Sequence, residues 1–152
     1  MQSVEIKGFQ ELVKRLDTMP QAVREARAEF MDETGRKLLE AVRGRIGGTG
    51  RVAGAQEYQV GSGKGYAAVR AKANTDLNGY AAGYITNSLE NGHVQEPGRY
   101  IPAIGMRLTR KQVEGKHMYE TVAGQDLRWA AEEGARIIEA KVLAHMEGRE
   151  TP

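Results

Sequence analysis

The segment that begins at Pro20 constrains the fold most. Val23, Phe30, Thr34, Leu38, Val42 and Ile46 recur at intervals of seven or four residues, one stripe along an α-helix. Pro20 suits a first helical position, where its missing N–H would go unpaired in any case. Acidic residues (Glu25, Glu29, Asp32, Glu33) gather in the first half and basic ones (Arg36, Lys37, Arg43, Arg45) in the second. That order complements the helix dipole. Gly47 and Gly48 end the helix. Gly35 and Gly44 inside it each cost about 1 kcal/mol against alanine, so close packing is expected to compensate.

Around this helix the chain reads as shorter pieces. Ser3 to Lys7 alternates, with Val4 and Ile6 on one face, as a half-buried strand does. Phe9, Leu12, Val13 and Leu16 give a short helix that stops before Pro20. Residues 47–65 carry seven glycines and little apolar content, so they read as a long flexible loop. Tyr66 to Lys72 reads as a strand and Asn74 to Gly79 as a turn. Tyr80 to Glu90 is ambiguous with helical leanings, ending at Asn91-Gly92. Pro97, Gly98, Pro102 and Gly105 break residues 93–115 into an extended arm or hairpin. Lys116 to Val122 is a short helix. Asp126 then caps a last one, with Leu127, Ala131, Gly134, Ile138, Val142 and Met146 on one face. Gly148 to Pro152 is a frayed tail. The sum is an α+β fold, a small, mostly antiparallel sheet packed against two main helices. At 152 residues it is one domain, 1–152.

Composition narrows the function. The chain has no cysteine, which excludes disulfides and thiolate metal sites and fits assembly in a reducing cytoplasm. No apolar run approaches a membrane span, and the polar N-terminus is no signal peptide. Two Phe, six Tyr and one Trp make a thin aromatic core, so neighbours are expected to supply part of the stability. A net charge of +2 does not by itself argue for nucleic-acid binding.

Each candidate for chemistry fails a stated requirement. Gly61-Ser62-Gly63-Lys64-Gly65 resembles a phosphate loop, but Tyr58 stands where the first glycine belongs. Gly65 replaces the magnesium-binding hydroxyl, and a strand follows instead of a helix. The three histidines, His93, His117 and His145, include no pair at helical ligand spacing. His117 is read as capping a helix, His93 as lying in a turn and His145 as lying on the last helix. None of Ser3, Ser62 and Ser88 sits in a nucleophile elbow. Glu90 near His93 forms a conceivable acid–base pair, which alone defines no reaction. No cofactor, metal or catalytic residue is expected.

The arm is locally basic through Arg99, Arg107, Arg110, Lys111 and Lys116, offset by Glu114, and amphipathic through Tyr100, Ile101 and Met106. Such an arm fits an acidic neighbouring subunit or a phosphate backbone. The neighbour is favoured because no nucleic-acid fold accompanies it. The alternative is a small DNA-binding module that uses residues 99–116. Inter-subunit docking is assigned to Arg99, Tyr100, Ile101, Met106, Arg107, Arg110 and Lys111.

Several short elements together carry a resemblance. They are the opening Val4-Glu5-Ile6-Lys7-Gly8-Phe9 with Leu12 and Leu16, a long helix, and Thr49-Gly50-Arg51. Leu89-Glu90-Asn91-Gly92-His93 and Gly115-Lys116-His117-Met118-Tyr119 before the last helix complete the set. In order and spacing they resemble the minor tail components of long-tailed bacteriophages, the tail-completion or head–tail joining family. The recurring landmarks are Leu89, Glu90, Gly92 and His93, then Gly115, His117 and Met118. The glycine-rich 47–65 loop and the Arg99 to Lys111 insert depart from the family pattern. The resemblance implies a virion structural protein without catalytic residues, made in the host bacterial cytoplasm. It also implies a ring of its own copies, a hexamer, at the phage neck or tail end. Its partners would be tail-tube, terminator or connector proteins, with DNA passing through the lumen without specific binding.

Overall fold

The computed structural model describes residues 9–48, 50–95, 97–98, 100–102, 105–107, 109 and 111–149. The strand expected at Ser3 to Lys7 lies outside them. The fold is α+β, as expected from the sequence. In chain order come α1 (Phe9–Ile46), α2 (Arg51–Gly54), β1 (Gln56–Val60), β2 (Ala67–Ala71), β3 (Asp76–Leu77) and β4 (Tyr80–Ala81). There follow α3 (Ala82–Asn91), β5 (Gly92–Gln95), β6 (Tyr100–Ile101), β7 (Met106–Arg107), β8 (Lys111–Glu114) and α4 (Met118–Glu147). The described strands make separate two-stranded ribbons, β1 with β2, β3 with β4, β5 with β8 and β6 with β7, instead of one sheet.

The chain divides into two compact units. One holds α1 up to Thr34, Val60–Ala67 and α4 from Leu127. The other holds Gly35–Gln59 and Ala68–Asp126.

In the first unit the early part of α1 lies on the late part of α4. Ala26 is fully buried. The Phe30 ring covers Gly134 so closely that a Cβ there would sit 2.6 Å from its Cζ. Arg15 Nη1 donates to the Met146 carbonyl at 2.8 Å, and Lys141 Nζ pairs with Glu29 at 2.9 Å. His145 Nε2 lies 2.9 Å from the Arg15 carbonyl. A carbonyl only accepts, so Nε2 carries the proton. α4 ends in a Schellman motif: Gly148 has φ +69°, its N–H bonds to His145 O, and Arg149 N–H bonds to Ala144 O.

Contacts on both sides of Pro20 explain why α1 is one helix and not two. Arg15 and Thr18 before it, and Phe30 after it, all bond to or pack on α4. Pro20 withholds one N–H from the Leu16 carbonyl, and both residues are exposed, so water can take that acceptor. The expected break is overridden by packing.

The core of the second unit is Val42, Ile46, Met118 and Val122, with Leu38, Val52, Val69, Leu89 and Tyr119 packed against it. Gly35 faces the Tyr58 ring too closely for any Cβ, whereas Gly44 has open space around it. Close packing therefore accounts for the first glycine and not the second. The expected 47–65 loop is largely ordered structure. Val52 and Ala53 of α2 reach the core, and Gln56 of β1 is fully buried. Gln56 Nε2 donates to Val52 O and Thr86 Oγ1, and its Oε1 accepts from Tyr119 Oη. Arg43 donates to the Ala53 and Gln56 carbonyls. A buried amide with every bond made is cheap to bury. α4 likewise runs unbroken from Met118 through Asp126, so Lys116 to Val122 is not a separate helix and Asp126 is no cap.

Candidate assembly interface

The two landmark stretches meet in the second unit. β5 and β8 pair antiparallel, with Gly92 opposite Glu114 and His93 opposite Val113. This brings the end of α3 beside the start of α4. Lys116 N–H donates to Leu89 O at 2.7 Å and His117 N–H to Glu90 O at 3.1 Å. A Cβ on Gly115 would run into the backbone of Glu90 and Asn91. One on Gly92 would run into the Val113 carbonyl. Only glycine allows two chains this close.

Glu90 closes the junction. Its Oε2 accepts from Tyr119 N–H at 3.0 Å and its Oε1 from Glu120 N–H at 3.1 Å. These are the second and third residues of α4, the N–H groups that a Ser, Thr or Asp cap normally satisfies. The residue at the cap position is His117, with φ +46°, and it makes no such bond among the described contacts. A carboxylate from another helix does the work, and its charge also suits the positive end of α4. Behind it, Met118 is fully buried and Leu89 packs on the same cluster. Burial, and after it the Glu90 charge, push the Tyr119 phenol above its ordinary value.

Beyond β5 the arm is a second, smaller hairpin. Tyr100 stands opposite Arg107 and Ile101 opposite Met106. Arg107 Nη1 donates to Gly98 O at 3.0 Å, and Lys111 stands opposite Gln95 at the base. Tyr100 is 53% exposed. Arg99 and Arg110 lie outside the described residues. The described part of the arm is thus a hairpin with Tyr100 exposed.

A further feature escaped the sequence reading. Asn78 and Gly79, at φ +57° and +87°, form the two-residue turn between β3 and β4. The turn and α3 set Tyr80 and Tyr84 in a stack, centroids 6.0 Å apart, with 42% and 63% of their surface exposed. The Asn-Gly dipeptide was the available signal: it predicts a hairpin, not merely a turn.

No family model, curated protein or solved structure matches this chain.

The chemical candidates are placed as follows. Glu90 has both oxygens engaged by backbone N–H groups, and His93 is an exposed β5 residue rather than a turn residue. They form no acid–base pair. Gly61 to Gly65 lies in the β1–β2 hairpin turn, where Lys64 N–H donates to Gly61 O and Gly61 N–H to Tyr66 O. His117 precedes α4, with Nδ1 3.2 Å from Glu120, and His145 lies on α4. Among the described residues no three His, Asp or Glu side chains gather as metal ligands. No helix among them is long and apolar enough to cross a membrane.

Proposed function

We propose that this chain is a structural subunit of a long-tailed phage virion, joining or completing the tail at the head–tail interface as a ring of its own copies. One observation carries the reading. The two stretches that bear the resemblance, 89–93 and 115–118, are separated by the whole arm, yet they form one clasp. Residues that recur as landmarks need a shared physical reason, and the Glu90 cap with its two close-approach glycines supplies one.

In this reading the landmarks hold the frame and the arm does the docking. Tyr100, Ile101, Met106, Arg107 and Lys111, with Arg99 and Arg110, meet a neighbouring subunit. Aromatic and arginine side chains together are the composition that interfaces favour. In a cyclic ring each contact joins two different faces. Subunits on either side would be tail-tube, terminator or connector proteins, with DNA passing through the lumen unbound.

The test is imaging. Size exclusion with light scattering, followed by negative-stain microscopy of the chain alone and with its own tail proteins, should reveal rings or subunits on tail ends. A chain that stays monomeric and never co-purifies with tails or virions overturns the proposal.

A further inference from the structure

The turn that joins β1 to β2 gathers positive charge without a counterion. Lys64 stands in the turn, and Arg27 of α1 reaches it: a Cβ built on Gly65 would lie 3.0 Å from Arg27 Nη2. Arg24 precedes Arg27 by one helical turn. A helical residue pairs most readily with an opposite charge three or four positions away. No residue at those positions from either arginine is acidic, and residues 58–69 hold no carboxylate. All three cations are exposed, and among the described residues none has a hydrogen-bond or ion-pair partner. Residues 60–67 and α1 up to Thr34 belong to the same unit.

The backbone of the turn is short of partners as well. Lys64 N–H donates to Gly61 O at 2.8 Å and Gly61 N–H to Tyr66 O at 3.0 Å. The N–H groups of Ser62, Gly63 and Gly65 have no partner among the described residues, and neither does the Ser62 hydroxyl. Lys64 is left-handed, with φ +53°. A left-handed residue after a turn draws the neighbouring N–H groups into a concavity, the arrangement that takes an anion. Tyr66 adds a flat surface. Its ring lies so close to Gly61 that a Cβ there would run into it, yet 61% of the residue stays exposed. A ring backed by main chain and still largely open is a stacking platform.

We propose that this turn binds a nucleotide unit, with the phosphate on the Gly63 and Gly65 N–H groups, Arg27 and Lys64, and the base against Tyr66. The charge selects an anion, the N–H concavity a compact one, and the ring a phosphate that carries a base. The source is a free nucleotide or a single strand. A duplex keeps its bases stacked on one another, so DNA passing as a duplex offers the ring nothing. The site is independent of the virion reading.

The full chain is titrated, by calorimetry or NMR, with sodium phosphate, adenosine monophosphate and a short single strand of deoxyadenylate. Adenosine monophosphate should bind several-fold more tightly than inorganic phosphate, because stacking adds to the charged contacts. Arg27→Gln should weaken both by about tenfold. Gly65→Ala, whose Cβ displaces the Arg27 guanidinium, should act in the same direction. Lys64→Gly removes the ammonium and suits the left-handed backbone, so it should weaken both while keeping native circular dichroism. Tyr66→Leu should reduce the monophosphate to the affinity of inorganic phosphate and leave inorganic phosphate unchanged. A strand that binds more tightly than the monophosphate, with affinity falling as salt rises, assigns the site to single strands. A strand that binds no more tightly assigns it to free nucleotides. No binding of any probe, or binding that Arg27→Gln and Lys64→Gly leave unchanged, overturns the proposal. Monophosphate binding that Tyr66→Leu leaves unchanged overturns the base contact and with it the nucleotide. Binding without rings or tail association sinks the virion reading alone, and rings without binding sink this site alone.

Discussion

Glu90 sits near the end of one helix and serves the beginning of another. Its two bonds satisfy N–H groups of Tyr119 and Glu120 that no residue of α4 reaches. Glu90→Ala should therefore cost about 1–2 kcal/mol, the usual worth of an N-cap. Glu90→Gln, which keeps one acceptor oxygen and loses the charge, should cost less. Urea denaturation measures both, and an unchanged midpoint for Glu90→Ala would show that the cap contributes nothing. The neighbouring Tyr119 gives a pH signature. Its phenol is held above the ordinary 10.0 by burial and by Glu90, so the folded state retains the proton more firmly than the unfolded chain. The stabilisation is whole below about pH 10 and is lost as the pH rises through the folded value. Tyr119→Phe should flatten that alkaline decline in a titration followed by fluorescence or circular dichroism.

At the scale of elements, α1 offers two glycines of opposite sign. Gly44 is exposed with nothing near a built Cβ, so Gly44→Ala should stabilise by about 1 kcal/mol. Gly35 lies against the Tyr58 ring, so Gly35→Ala should destabilise by about 1–3 kcal/mol as the ring is displaced. Thermal or urea unfolding of the pair checks both signs together. The sequence made the lower half of α1 legible because Thr34, Leu38, Val42 and Ile46 keep helical spacing into a buried face. The same holds for β2, whose alternation Ala67, Val69, Ala71 is the half-buried side. It misplaced the break at Pro20 because local punctuation there is outweighed by contacts with distant residues; at Asp126 the helix simply runs on. It misread residues 47–65 because their glycines fall at the joints of α2 and in the β1–β2 turn. Gln56, the residue that orders the segment, is polar and looks like surface. The Glu90 cap was legible only as a landmark: a carboxylate that caps a helix other than its own leaves no local spacing to find.

On the scale of the whole molecule, aromatic surface is spent outward. Among the described residues no aromatic side chain is fully buried, while Tyr66, Tyr80, Tyr84 and Tyr100 are exposed. The largest fully buried side chains are Met118, Gln56 and Val42. A molecule built this way gains stability when copies associate, by mass action. Its thermal midpoint should rise with protein concentration in scanning fluorimetry or calorimetry. A midpoint constant over a hundredfold range, roughly 3 kcal/mol of available mass-action stabilisation, would argue against self-association of the folded chain.

The clasp at Glu90 also orders events in time. Its carboxylate is separated from Tyr119 by 29 positions, and synthesis delivers the chain from the N-terminus. When α3 leaves the ribosome, the helix its Glu90 caps has not yet been made. A start of α4 that forms late predicts that substitutions at Glu90 speed unfolding more than they slow folding, as a chevron plot would show.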